Sequence, residues 1–194
     1  MFDFRSRFRV LVFFLAVFTG CSWNHTPAPD AVPATTIFIA RHAEKDPTPG
    51  VADPGLTEEG QRRANDLRDV LMKHHVSALF TTDTARTRAT VAPLAARLKI
   101  EPQIYDPKQP AQLAQQLREQ HRGETVLVVG HSNTVLPLIE ALGAPRPVSE
   151  LSDADYDYLF EVTLPQDGVV TATVSHYGKT GASTPPPPPT TPAQ

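Results

Sequence analysis

Apolar residues along the chain follow two rhythms. Residues 36–40 (TIFIA), 76–81 (VSALFT) and 125–130 (TVLVVG) are short, continuous apolar runs rich in β-branched side chains, and they read as buried strands. Between them the period changes to that of a helix. Ala64, Leu67, Val70 and Leu71 predict a helix over about 58–74, with Thr57 as its N-cap and Glu58 and Glu59 favourably placed in its first turn. Val91, Leu94, Ala95 and Leu98 predict a second helix within 84–98, and Leu113 and Leu117 mark a polar one ending near Gly123. A further helix over 134–142 is closed by Gly143, with Asn133 as its expected cap. Ile104 and Tyr105 read as a short strand, and 156–163 and 169–176 as late strands, the second at an edge.

Strands alternating with helices predict an α/β domain: a three-layer α/β/α sandwich with a mainly parallel sheet. In such sheets ligands bind beyond the carboxyl ends of the strands. His42 follows the first strand and His131 the strand at 125–130, so adjacent parallel strands would bring both imidazoles to one crevice.

That placement turns the charged residues at strand ends into candidate chemistry. Arg41 precedes His42, and Arg86 sits in the opening turn of a helix, where free backbone N–H groups favour an anion. Two guanidiniums and two imidazoles suit a tetrahedral dianion, since arginine offers planar, paired donors to phosphate oxygens. A neutral histidine can then act as a nucleophile and carry the phosphoryl group. His42, Glu44 and His131 could also hold a metal, but two arginines in the same crevice would repel a cation. No metal and no diffusible cofactor are expected. Arg88, two residues along the helix from Arg86, points elsewhere and reads as a solvated or ion-paired residue.

The same residues resemble the signatures of the histidine phosphatase superfamily, the phosphoglycerate-mutase-like fold. "RHAEK" at 41–45 resembles its Arg-His-Gly-Glu motif, and "LTEEGQRRA" at 56–64 its Leu-Thr-x-x-Gly helix start. "TTDTARTRATVAPLA" at 81–95 resembles the segment that supplies a second arginine, with Thr82 in place of the common serine. "VLVVGHSNTV" at 126–135 resembles the strand and Gly-His that supply the second histidine. The resemblance implies a metal-independent phosphatase with His42 as the phosphate-accepting nucleophile and Arg41, Arg86 and His131 as phosphate-binding partners. The general acid that protonates the leaving group is assigned to Glu44, with Asp106 as the alternative; a phosphohistidine or acyl phosphate would need no strong acid. The other reading is a non-catalytic module that binds a phosphorylated ligand in the same pocket. Either way the expected partner is a small phosphorylated substrate or a phosphoprotein.

The ends of the chain read differently from its middle. Arg5, Arg7 and Arg9 precede nine apolar residues at 10–18, too few to span a membrane but fitting the core of an export signal at 1–20. Thr19 and Gly20 then lead into Cys21, the single cysteine of the chain, in a pattern that resembles a bacterial lipobox. The expectation is an extracytoplasmic protein anchored through lipidated Cys21, in the outer membrane if the cell has two. Residues 21–34 read as a proline-containing tether, 35–179 as the domain, and 180–194, with five consecutive prolines, as a disordered tail. Without residues 1–20 the balance is 15 basic against 20 acidic residues, so no nucleic-acid surface is expected.

Overall fold

The computed structural model describes residues 33–178. The expected export signal, Cys21 and the proline-rich tail lie outside the described residues.

Six strands and four helices alternate among the described residues. They are β1 (Thr35–Arg41), α1 (Glu58–Leu71), β2 (Ala78–Thr81), α2 (Ala85–Leu98), β3 (Gln103–Ile104), α3 (Pro110–Gln120), β4 (Thr125–Gly130), α4 (Ser132–Ala141), β5 (Tyr158–Leu164) and β6 (Thr171–His176). The sheet order is β3-β2-β4-β1-β5-β6. The first four strands in that order run parallel, and β5 and β6 complete the sheet antiparallel. Helices cover both faces, which is why the central strands read as unbroken apolar runs. Ile37, Ile39, Val126 and Val128 face α3 and α4 in one core, while Phe38, Ala40, Leu127 and Val129 face α1 and α2 in the other. The fold is thus a six-stranded mixed sheet between helical layers, mainly parallel, with β6 exposed at one edge.

Two helix boundaries differ from the sequence expectation for local reasons. α1 ends at Leu71, short of His74 and His75: the chain tightens into a turn in which the His74 N–H donates to Leu71 O at 3.0 Å, and His75 then takes a left-handed backbone (φ 51°). α4 starts earlier than expected, at Ser132, and its N-cap is His131, not Asn133. Thr134 is the third residue of that helix, and its Oγ1 accepts from the His131 N–H at 2.9 Å. A threonine three residues along can close the first turn in this way.

The segment leaving β1 is clamped against α1. Thr57 donates its N–H to Glu44 O at 2.9 Å, and a Cβ at Gly60 would lie 2.3 Å from that same oxygen. Only glycine lets the first turn of α1 approach so closely. Between these contacts residues 46–55 form an excursion, closed where Lys45 bridges Leu56 and Asp46 donates to Gly55 O at 2.9 Å.

Candidate active site

β1 ends at Arg41 and β4 at Gly130, and these two residues pair in register. Each strand runs directly into a histidine, and the N–H of His42 donates to Gly130 O at 2.9 Å. The His42 and His131 rings meet edge to face, with centroids 5.5 Å apart. Any larger residue at Gly130 would disturb this corner, because its Cβ would lie 2.8 Å from Tyr105 Oη and 3.0 Å from Thr134 Oγ1.

His42 is buried, and its Nδ1 lies 2.8 Å from Ala43 O. A carbonyl can only accept, so Nδ1 carries the hydrogen and Nε2 keeps its lone pair. The carbonyl is held in place because the Ala43 N–H donates to Thr90 Oγ1 at 2.9 Å, and Thr90 donates in turn to Arg86 O at 2.7 Å. Burial is the main cause that pulls the His42 pKa from 6.5 to about 4; the bond to Ala43 opposes it, and Arg41, Arg86 and His131 add to it. His131 is also pulled down to about 4, by burial first and then by Arg86 and Arg41. Both rings are therefore neutral at pH 7. An NMR titration of the imidazole resonances should show both midpoints near pH 4; a midpoint near 6.5 for His42 would contradict the desolvated site. The folded values lie below the unfolded one, so the unfolded chain binds protons that the folded chain refuses. This contribution to stability is fully present above about pH 6.5 and is lost as pH falls toward 4.

The two arginines flank this pair. Arg41 is 4 % exposed, and its Nη1 donates to the carbonyls of Ser152 (2.7 Å), Asp155 (3.2 Å) and Asp153 (3.3 Å). Its guanidinium carbon lies 4.1 Å from the centre of the Tyr156 ring. Arg86, in the first turn of α2, places Nη1 3.4 Å from Asp53 Oδ1, and Asp53 Oδ2 accepts from the Ala85 N–H at 2.9 Å. The Nε atoms of both arginines are buried without a hydrogen-bond partner among the described residues. Arg88 points away and pairs with exposed Asp83.

Glu44, expected as the general acid, is placed otherwise. Its Oε1 accepts from both Nε and Nη2 of Arg63, each at 2.7 Å, with side-chain exposures of 16 % and 8 %. The carboxylate is a strut between the His42 segment and α1, with Oε1 on the buried guanidinium and Oε2 buried with no hydrogen-bond partner among the described residues. Nearness in sequence misled, because Glu44 turns toward α1. Replacing Glu44 by Gln should leave turnover largely intact while lowering stability by about 1.5–3 kcal/mol, the scale of a hydrogen bond to a charged group, measured by denaturant unfolding. Asp106 lines a cavity of about 390 Å³ beside His131, together with Thr82, Thr84 and Tyr105. Its Oδ1 accepts from the Lys108 N–H at 2.9 Å.

Two contributors were not singled out by the sequence, Asp53 and the Ser152–Asp155 carbonyls; Thr82, marked only as the replacement for a common serine, places its hydroxyl 2.9 Å from His131 Nε2. Asp53 lies outside the matched motifs, and backbone carbonyls leave no mark in a sequence.

Set against known proteins, residues 37–107 match the model of the histidine phosphatase superfamily (branch 1). No curated protein matches the chain. Among solved structures, the protein histidine phosphatase SixA complexed with tungstate is similar at 19 % identity and a TM-score of 0.56, over 73 % of this chain and 95 % of that one. YhfR of Bacillus stearothermophilus is 20 % identical, with a TM-score of 0.56 over 74 % of this chain and 96 % of that one. Phosphoserine phosphatase of Entamoeba histolytica, in complex with 3-phosphoglyceric acid, is 14 % identical, with a TM-score of 0.56 over 76 % and 98 %. At these identities the likeness is one of fold.

Proposed function

We propose that the chain is a histidine phosphatase, which hydrolyses a phosphomonoester or phosphoamide through a phosphohistidine formed on His42. One observation carries this reading: the bond from His42 Nδ1 to Ala43 O leaves a neutral imidazole with its Nε2 lone pair unused, beside two arginines with buried, unpartnered Nε–H groups. A lone pair, cationic donors and a water-poor setting meet the main needs of phosphoryl transfer.

The reaction runs in two displacements. His42 Nε2 attacks phosphorus in line, the new N–P bond forms, and the bond to the leaving oxygen or nitrogen breaks with its electron pair. Arg41 and Arg86 donate to the equatorial oxygens as charge spreads over them, and His131 supports the same oxygens. Water then attacks phosphorus, the N–P bond breaks, and inorganic phosphate leaves with His42 restored. With Glu44 bound to Arg63, the reading favours substrates whose leaving group departs without a strong acid, such as a phosphohistidine or an acyl phosphate. The expected anchor at Cys21 would place this activity at an extracytoplasmic membrane surface.

The test is release of p-nitrophenol from its phosphate ester by the domain from Ser22 onward, in excess EDTA and at mildly acidic to neutral pH. Turnover that survives EDTA supports the reading. Activity that EDTA abolishes overturns it, and saturable phosphate binding without turnover would mark the chain as a binding module.

A further inference from the structure

The hydroxyls around Thr82 decide where the His131 proton sits. Thr82 and Thr87 are buried, and Thr82 Oγ1 lies 2.9 Å from His131 Nε2 and 2.9 Å from Thr87 Oγ1. Thr87 Oγ1 in turn lies 2.9 Å from Thr82 O, 3.1 Å from Thr84 O and 2.8 Å from Thr84 Oγ1. Polar atoms this close attract only when a hydrogen lies between them; two lone pairs facing each other repel.

The hydrogens can then be assigned one at a time. Carbonyls have none to give, so the single Thr87 proton goes to the carbonyls of Thr82 and Thr84. The contact between Thr82 and Thr87 therefore uses the Thr82 proton, and the contact between Thr84 and Thr87 uses that of Thr84. Thr87 Oγ1 now accepts two hydrogen bonds and donates one, the full capacity of a hydroxyl. Thr82 has no proton left for His131, so the hydrogen between them belongs to Nε2.

We infer that Thr87, acting through Thr82, is a positioning residue that holds neutral His131 with its hydrogen on Nε2, the tautomer opposite to that of His42. The two rings, 5.5 Å apart, then do different work. His42 presents a lone pair at Nε2, and His131 presents an N–H at Nε2. That N–H, donated to Thr82 Oγ1 in the unliganded protein, is the one hydrogen a neutral His131 has, and it serves a phosphoryl oxygen by being shared with it, whereas a lone pair there would repel the oxygen. This consequence for catalysis rests on the phosphatase reading; the tautomer itself does not. Burial and the two guanidiniums hold His131 neutral at pH 7, so a tautomer exists to be chosen.

Long-range proton–nitrogen NMR of the histidine rings at pH 7 tests the assignment on the full chain. The expected wild-type spectrum has His131 protonated at Nε2 and His42 at Nδ1. In Thr87→Val the Thr82 hydroxyl loses its acceptor at 2.9 Å and keeps only the weaker contact to Thr84 Oγ1 at 3.5 Å, so it turns to His131 Nε2 and drives the ring to the Nδ1–H form; Thr87→Ser keeps the wild-type pattern. Turnover of p-nitrophenyl phosphate should fall by at least about tenfold in Thr87→Val and recover in Thr87→Ser, by analogy with the scale for outer partners that orient a metal-bound imidazole. A wild-type His131 carrying its hydrogen on Nδ1 overturns the inference by itself, as does an unchanged tautomer in Thr87→Val. The spectrum needs no turnover, so a chain that hydrolyses nothing yet shows the Nε2–H form refutes the phosphatase reading and leaves this one standing.

Discussion

His42→Ala should lose turnover by about 10⁴-fold or more, the scale on which removing a nucleophile acts, while still binding inorganic phosphate. The two effects separate because different groups carry them. Arg41 is held by three backbone carbonyls and the Tyr156 ring, and Arg86 by α2 and Asp53; none of these contacts runs through the His42 side chain. The proposed nucleophile is His42, in preference to His131, because of what each Nε2 touches. That of His131 is engaged with Thr82 Oγ1 at 2.9 Å, while among the described residues the only hydrogen bond of the His42 ring is through Nδ1 to Ala43 O. Brief incubation with ³²P-labelled substrate, quenched in alkali, should trap label on the wild-type protein at His42 and none on the variant. Label on His131, or a variant that still turns over, would remove His42 from its role.

How far the sequence revealed this site depends on what kind of group does the work. His42 and His131 were legible because each ends an apolar run, and a strand mouth in an α/β sheet is where ligands bind. Pairing of Arg41 with Gly130 then follows from β1 and β4 lying side by side. Arg86 was legible from its place at a helix start. Glu44 was misread because only its backbone stays near His42, while its carboxylate reaches Arg63 on the buried face of α1. Its partner could have been found: Arg63 lies on the same helical stripe as Gly60, Ala64 and Leu67, where a buried arginine requires an acid. The threonine chain could not have been found. Thr82, Thr84 and Thr87 are ordinary residues at a helix start, and only the distances among their hydroxyls give them a direction.

The second large effect is expected at Arg86. Arg86→Lys keeps the charge but loses the planar fork, and kcat/KM should fall by about 10²–10³-fold, the loss seen when one preorganised donor at a reacting oxyanion is removed. A lysine cannot replace two functions at once. Arg86 Nη1 reaches Asp53 at 3.4 Å, while its Nε–H is buried with no hydrogen-bond partner among the described residues. A single ammonium on a flexible stem can follow Asp53 or a phosphoryl oxygen, but it does not hold a fixed donor array between them. Inhibition by inorganic phosphate should weaken in parallel, because the same donors bind product. Arg88→Lys is the control: Arg88 pairs with Asp83 at the surface, so its loss should leave kcat/KM unchanged. Steady-state kinetics and phosphate inhibition on the two variants decide the matter. If Arg88→Lys proves the damaging change and Arg86→Lys the silent one, α2 presents a different face to the site, and the anion seat at Arg86 is wrong.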